Sequence, residues 1–193
     1  MNPSITLQPA VEPISTAEAK EWLRIDPSDT SQDAVLAILI KAVRDRVESR
    51  LRRSLITRTY SWTADSDDVK MGTVTLPYPP VQSITSFKTY DDSSGSEVET
   101  VVDSGDYQLV NGTYLAERGD GWDVNRRDKA AVIVYVAGYG DAATDIPGSI
   151  RMVMFEMLAL RFERRGDEDR DGVTSREHEI LQSIDEYRTI AMS

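Results

Sequence analysis

The sequence predicts an α+β protein with helical ends around an antiparallel β-rich middle. Three observations predict it. Apolar residues recur at helical spacing from about Asp33 to Arg53 and again from Ile150 to Phe162. Between Leu55 and Val136 the pattern changes to short β-branched and aromatic runs separated by turn residues. Beyond a charged stretch containing two glycines, Ile180, Leu181, Ile184, Tyr187 and Ala191 return to a helical stripe.

The elements follow in order. Ser15-Thr16-Ala17-Glu18 is a capping box and predicts a short helix to about Ile25, with Ala19, Trp22 and Leu23 on one side. Asp26-Pro27-Ser28-Asp29 breaks it. Ser31-Gln32-Asp33 starts the next helix, whose apolar positions are Val35, Ile38, Leu39, Ala42, Val43, Val47 and Leu51. Arg46 and Arg50 fall inside that apolar arc at 100° per residue. Either they pair with buried carboxylates or that end of the helix faces another chain.

Strands are expected at 55–62, 73–76, 83–90, 97–102, 107–110, 113–115 and 131–136. Asp91-Asp92-Ser93-Ser94-Gly95-Ser96 turns the third into a hairpin with the fourth. Ile146-Pro147-Gly148-Ser149 opens a second long helix, with Pro147 suited to its first turn. From Ile150 to Phe162 it is apolar nearly all round, which predicts burial on every side, by its own core or by neighbouring subunits. Met152, Met154 and Met157 suit adaptable packing. Residues 166–173 read as a solvated linker. Thr174 to Glu177 is a second capping box, opening an amphipathic helix that either folds back on its own domain or enters a partner's groove.

Composition narrows the function. The chain has 193 residues and 40% apolar residues, enough for one ordinary domain or a small domain with an elaboration. No run approaches the roughly 18 apolar residues of a membrane span. Met1 to Glu12 lacks the basic start and apolar run of a secretory signal, so a cytosolic origin is expected. With no cysteine, disulfides, thiolate metal sites and cysteine nucleophiles are excluded. The net charge of −11 is uneven. Residues 1–64 carry nine basic and eight acidic side chains, residues 65–140 six and thirteen, and residues 141–193 seven and twelve. Such a chain does not grip nucleic acid over its whole surface, though DNA can pass it without sticking.

No constellation points to catalysis, a metal or a cofactor. The one histidine, His178, lies between Glu177 and Glu179, and adjacent residues do not share a helix face as metal ligands must. No nucleophile elbow, P-loop or dinucleotide fingerprint is present. With 33 acidic residues some carboxylate pair is inevitable, so such a pair carries no signal. The Arg50-Leu51-Arg52-Arg53 cluster reads equally as a phosphate contact and as ordinary cations at a helix C-terminus.

Four motifs in order carry a resemblance. Leu7-x-Pro9-x-x-Glu12-Pro13-Ile14 precedes Ala17-Glu18-Ala19-Lys20-x-x-Leu23-Arg24 and Asp26. Val47-Glu48-x-x-Leu51-x-Arg53-x-Leu55-Ile56-Thr57 ends the second helix. Leu76-Pro77-x-x-Pro80-Val81-x-Ser83-Ile84 follows. Val134, Val136 and Gly138-Tyr139-Gly140 then lead to Ile146-Pro147 and the apolar helix. Together, over roughly residues 7–165, they resemble the head–tail connector (adaptor) proteins of tailed phages and of phage-like gene transfer particles.

The resemblance implies a discontinuous helical core with an inserted antiparallel β-rich segment and a C-terminal amphipathic helix. Residues 13–55 and 145–165 would form the core, 56–140 the insertion, 166–173 the linker and 174–191 the docking helix. It implies a non-enzymatic homo-oligomeric ring, in relatives usually twelve-fold, placed at the virion neck after assembly in the host cytoplasm. The ring would bind the portal and the next neck or tail protein and extend the DNA channel, with no membrane and no cofactor. Arg46, Arg50, Met154, Met157 and Arg161 would be subunit-interface candidates. Ile180, Leu181, Ile184 and Tyr187 would be portal-docking candidates. Rival readings are another neck protein, such as a head-closure or tail-end subunit, a β-rich ligand-binding module, and a carboxylate-pair hydrolase.

Overall fold

A computed structural model describes residues 3–92, 95–119, 122, 124, 126–165 and 170–189. The fold is α+β, and it divides into two compact units. One comprises Met1–Pro9 and Thr57–Gly138, the other Ala10–Ile56 and Tyr139–Ser193.

The second unit is helical. Its helices are α1 (Thr16–Leu23), α2 (Asp33–Leu51), α3 (Gly148–Glu163) and α4 (Arg170–Gln182). The first capping box forms as expected: the Glu18 N–H donates to Ser15 Oγ at 3.2 Å, and the Ser15 N–H donates to Glu18 Oε2 at 2.9 Å. Helix α1 ends where Arg24 turns left-handed, ahead of the Asp26–Asp29 break. Helix α2 buries Leu36, Ile40, Val43, Val47 and Leu51, and α3 buries Ile150, Val153, Met154, Met157 and Leu158. These two stripes pack on each other and, with Ile14, Ala19, Leu55, Ile56, Ile146, Ile180, Leu181 and Ile184, make one core. Each fully buried Leu, Ile or Met contributes about 1.5–3 kcal/mol over its exposed state.

Several boundaries differ from the sequence reading. The stretch expected to begin a strand at Leu55 plugs the helical core, with Leu55 and Ile56 essentially inaccessible to solvent. Its backbone is held there by Glu48, whose Oε1 accepts the Leu55 N–H at 2.9 Å. Helix α4 begins at Arg170, four residues before the expected Thr174 cap, and gives way after Gln182 to a short 3-10 turn, Asp185–Tyr187. Charged residues are adequate helix formers, and one interior glycine, Gly172, costs only about 1 kcal/mol, so this stretch can extend the helix. Of the expected linker, residues 166–169 lie outside the described residues, as does Ala191. Trp22, read on the inner side of α1, is 42% exposed; Ala19 and the stem of Lys20 take the inner positions. The Lys20 ammonium pairs with Asp33 at 2.6 Å.

The other unit is built from β1 (Ser4–Leu7), β2 (Arg58–Ala64), β3 (Thr73–Thr75), β4 (Val81–Asp91), β5 (Val98–Val101), β6 (Tyr107–Val110), β7 (Tyr114–Glu117) and β8 (Ala131–Ala137). Five strands form a sheet in the order β1-β2-β8-β4-β5, and three form a sheet β3-β7-β6, with every pairing antiparallel. Strict alternation sets the register. Tyr60, Trp62 and Ala64 on β2, and Ala131, Ile133, Tyr135 and Ala137 on β8, face inward. The expected hairpin is present, with Lys88 opposite Val101 and Asp91 opposite Val98. After β2, Asp65 leads into a 3-10 helix, Ser66–Gly72. Strand β1 had no counterpart in the sequence reading: Ser-Ile-Thr-Leu is too short to alternate visibly and all four residues are exposed.

Candidate functional site

Helix α4 is where the sequence placed a docking element, and its surroundings are specific. Ile180, Leu181 and Ile184 are buried in the helical core, and Tyr187 packs partly buried against it. Of the two outcomes open for this helix, the structure has it folded back on its own unit.

Its polar contacts gather the arginines that stood out in the sequence. Glu177 is buried, and Arg161 on α3 donates to both of its oxygens, from Nε at 2.6 Å and from Nη2 at 3.1 Å. Arg46 on α2 approaches the same carboxylate at 4.0 Å from a half-exposed position. Arg50 donates from Nε to Asp185 Oδ1 at 2.8 Å, and its Nη2 pairs with the second oxygen. Arg53 donates to the Tyr187 carbonyl, and the Thr189 N–H donates to the Leu51 carbonyl at 3.0 Å. Ser149 Oγ donates to the Tyr187 hydroxyl at 3.0 Å. Thus Arg46, Arg50 and Arg161 each find a carboxylate within their own unit: Arg46 and Arg161 share the buried Glu177, whereas the Asp185 that Arg50 meets is 38% exposed.

Met154 and Met157 are fully buried in the same core. The apolar face of α3 turned outward is carried by Met152, 48% exposed, and by Phe155, on which Trp22 stacks with ring centroids 5.2 Å apart. The Arg151 guanidinium lies over the Phe155 ring, 5.8 Å from its centroid, and donates to Glu18 Oε1 at 2.6 Å. Burial alone would raise the Glu18 pKa, but its hydrogen bonds from Ser15 and Arg151 outweigh this and lower it. On α2, Ile38 is 68% exposed and Val35 36%. The sequence reading placed Val35 and Ile38 on the apolar stripe of α2 and expected α3 to be buried on every side; Leu36 and Ile40 take the inner positions of α2 instead, and Met152 leaves α3 one exposed apolar position.

At the opposite end of α2's charge pattern, Arg44 is buried and donates to both Glu12 oxygens at 2.7 Å. Desolvation works against its charge, but Glu12, Asp45 and Glu48 more than offset it and raise its pKa. In the β unit, the exposed apolar residues sit on the two sheet edges: Ile5 and Leu7 on β1, Val98 and Val101 on β5. His178 is exposed on α4. Among the described residues, no group of three or more His, Asp or Glu side chains is placed to hold a metal ion. No described helix is long and apolar enough to cross a membrane.

Comparison with known proteins bears out the resemblance read in the motifs. Residues 14–100 match the family described as Phage gp6-like head-tail connector protein. No curated protein matches the chain. Among solved structures, a chain from the neck of an empty gene transfer agent (GTA) particle, computed with C6 symmetry, is similar over 100% of this chain and 98% of that one, at 21% identity and a TM-score of 0.73. A chain from the virion of a native gene transfer agent particle is similar over the same shares, at 22% identity and a TM-score of 0.70. A chain from the neck of a native GTA particle, computed with C12 symmetry, covers 98% of each, at 22% identity and a TM-score of 0.62. At these identities the likeness establishes the shared fold.

Proposed function

We propose that this chain is a structural, non-enzymatic subunit of the neck of a phage-like particle: a head–tail adaptor whose copies form a ring between the portal and the next neck or tail protein. The observation that carries the reading is the end-to-end likeness of fold to neck chains, with 100% of this chain and 98% of the other aligned at a TM-score of 0.73. The connector-family match over residues 14–100 supports it from sequence alone.

The ring, twelve-fold in this reading, extends the DNA channel. A net charge of −11 suits a wall past which a polyanion slides without being held. The helical core, 13–55 and 145–165, makes the ring; the β-rich part elaborates it; the C-terminal segment reaches the portal. Since Ile180, Leu181 and Ile184 are buried at home, docking through that stripe requires α4 to leave its seat, breaking the Arg161–Glu177 and Arg50–Asp185 pairs as it goes.

The test is co-purification of the full chain with the portal from its own particle, followed by imaging. The expected result is a ring of this chain on the portal's exit face. A chain that binds only the distal neck, or stays monomeric beside an intact portal, overturns the adaptor reading. Removing 174–193 is expected to abolish portal attachment; unchanged attachment assigns the contact elsewhere.

A further inference from the structure

Helix α4 has one face to offer a partner. Glu177, Ile180, Leu181 and, just past the helix end, Ile184 recur at i, i+3, i+4 and i+7, and all four are buried. Around them Arg176, His178, Glu179 and Gln182 are exposed and polar. A helix patterned in this way docks by its stripe wherever it docks. Yet the stripe is not wholly apolar, since its first member is a carboxylate that is only 7% exposed.

That carboxylate sets a condition on any acceptor. A charge taken out of water without a counter-charge is far more costly than a hydrogen-bonded pair. In its own unit Glu177 is answered by Arg161, through Nε at 2.6 Å and Nη2 at 3.1 Å, with Arg46 at 4.0 Å. Asp185, at the other end of the seat, sets no such condition. Its side chain is 38% exposed, so water can take the place of Arg50.

We propose that the portal groove receiving α4 is an apolar slot two helical turns long, about 10 Å, with an arginine or lysine at the end that meets Glu177. Docking is then an exchange of one cation for another around a carboxylate that stays buried throughout. This rests on the adaptor reading above and adds to it the chemistry of the acceptor. Seat and acceptor compete for the same face, so apparent affinity for the portal scales with the fraction of chains whose α4 is released. The grip of Arg161 holds that fraction down.

The experiment measures binding of the full chain to the portal of its own particle by biolayer interferometry, for wild type, Arg161→Met, Arg50→Gln and Glu177→Gln. Far-UV circular dichroism with a thermal midpoint checks that each variant folds. Arg161→Met weakens only the seat and should tighten binding at least about tenfold. Arg50→Gln strands no buried charge and should tighten it about threefold, which keeps the test decisive if Arg161→Met does not fold. Glu177→Gln weakens seat and acceptor together and should bind no tighter than wild type. Tighter binding by Glu177→Gln would mean that the acceptor holds no cation for it. Unchanged or weaker binding by the arginine variants would mean that α4 stays seated. Either result overturns the proposal and leaves the adaptor reading standing, whereas a wild-type chain that does not bind the portal removes both.

Discussion

Arg161 grips Glu177 with two donors, Nε at 2.6 Å and Nη2 at 3.1 Å, sixteen residues further along the chain. The partners are unequally buried: the carboxylate side chain is 9% exposed and the guanidinium 24%. That asymmetry decides which half of the pair is costlier to lose. Arg161→Met strands a buried charge, with Arg46 left at 4.0 Å to answer it. Glu177→Gln leaves Arg161 an amide oxygen and access to water. The expected losses are about 3 kcal/mol for the first and about 1 kcal/mol for the second, by urea denaturation. Equal losses would mean the pair is not seated as described.

The capping carboxylate of α1 makes stability depend on acid. The Glu18 pKa is lower in the folded chain than its ordinary 4.5, burial being outweighed by hydrogen bonds from Ser15 and Arg151. Its stabilising contribution is therefore complete above about pH 4.5 and is lost as pH falls through the folded value. Thermal midpoints measured from pH 7 down to pH 3 should fall less steeply in Glu18→Gln than in wild type. Parallel curves would contradict the linkage.

Met154 and Met152, two residues apart on α3, should respond oppositely to truncation. Met154→Ala opens a cavity in a fully buried site and should cost about 2–4 kcal/mol. Met152→Ala removes a half-exposed side chain and should leave the free subunit within about 0.5 kcal/mol of wild type. Chemical denaturation under monomeric conditions measures both. A large loss at Met152 would place it in the subunit's own core.

In the β unit, the buried Tyr135 donates its hydroxyl to the Pro77 carbonyl at 2.7 Å and stacks on Tyr60. Burial pushes its pKa far upward, so the hydroxyl stays protonated and donating across the ordinary pH range. Tyr135→Phe keeps the stack and loses the bond. A cost of about 1 kcal/mol is expected, with the far-UV spectrum unchanged; no loss would mean the bond adds nothing.

Much of this was legible in the sequence because local signals and tertiary packing agreed. The Ser15–Glu18 box, the alternation from Thr59 to Trp62 and the hairpin around Asp91 each have one physical solution, and each formed. The disagreements at Leu55, β1 and the arginines come from contacts that a local pattern does not report. Leu55 looks like the start of a strand until Glu48 captures its N–H. Strand β1 exists because β2 offers it an edge, with Ile5 opposite Tyr60. The partners of Arg46 and Arg50 lie on α4 or just beyond it, far along the chain, so periodicity could flag the two arginines as misplaced but could not name Glu177 or Asp185. The outward patches were hidden for a similar reason, since an apolar residue in a helix does not state which side of it the core will take.

The division of the chain between its units also orders its synthesis. The polypeptide passes from one unit to the other near residues 9, 56 and 138. Every strand is out once β8 ends at Ala137, whereas the helical core still needs Ile184. α2 ends at Leu51 and α3 at Glu163, so at roughly 5–20 residues per second translation leaves α1 and α2 waiting for about six to twenty-two seconds with their apolar seams uncovered. Nascent chains at that stage are the ones a chaperone would find, and the α2 seam is where it would bind.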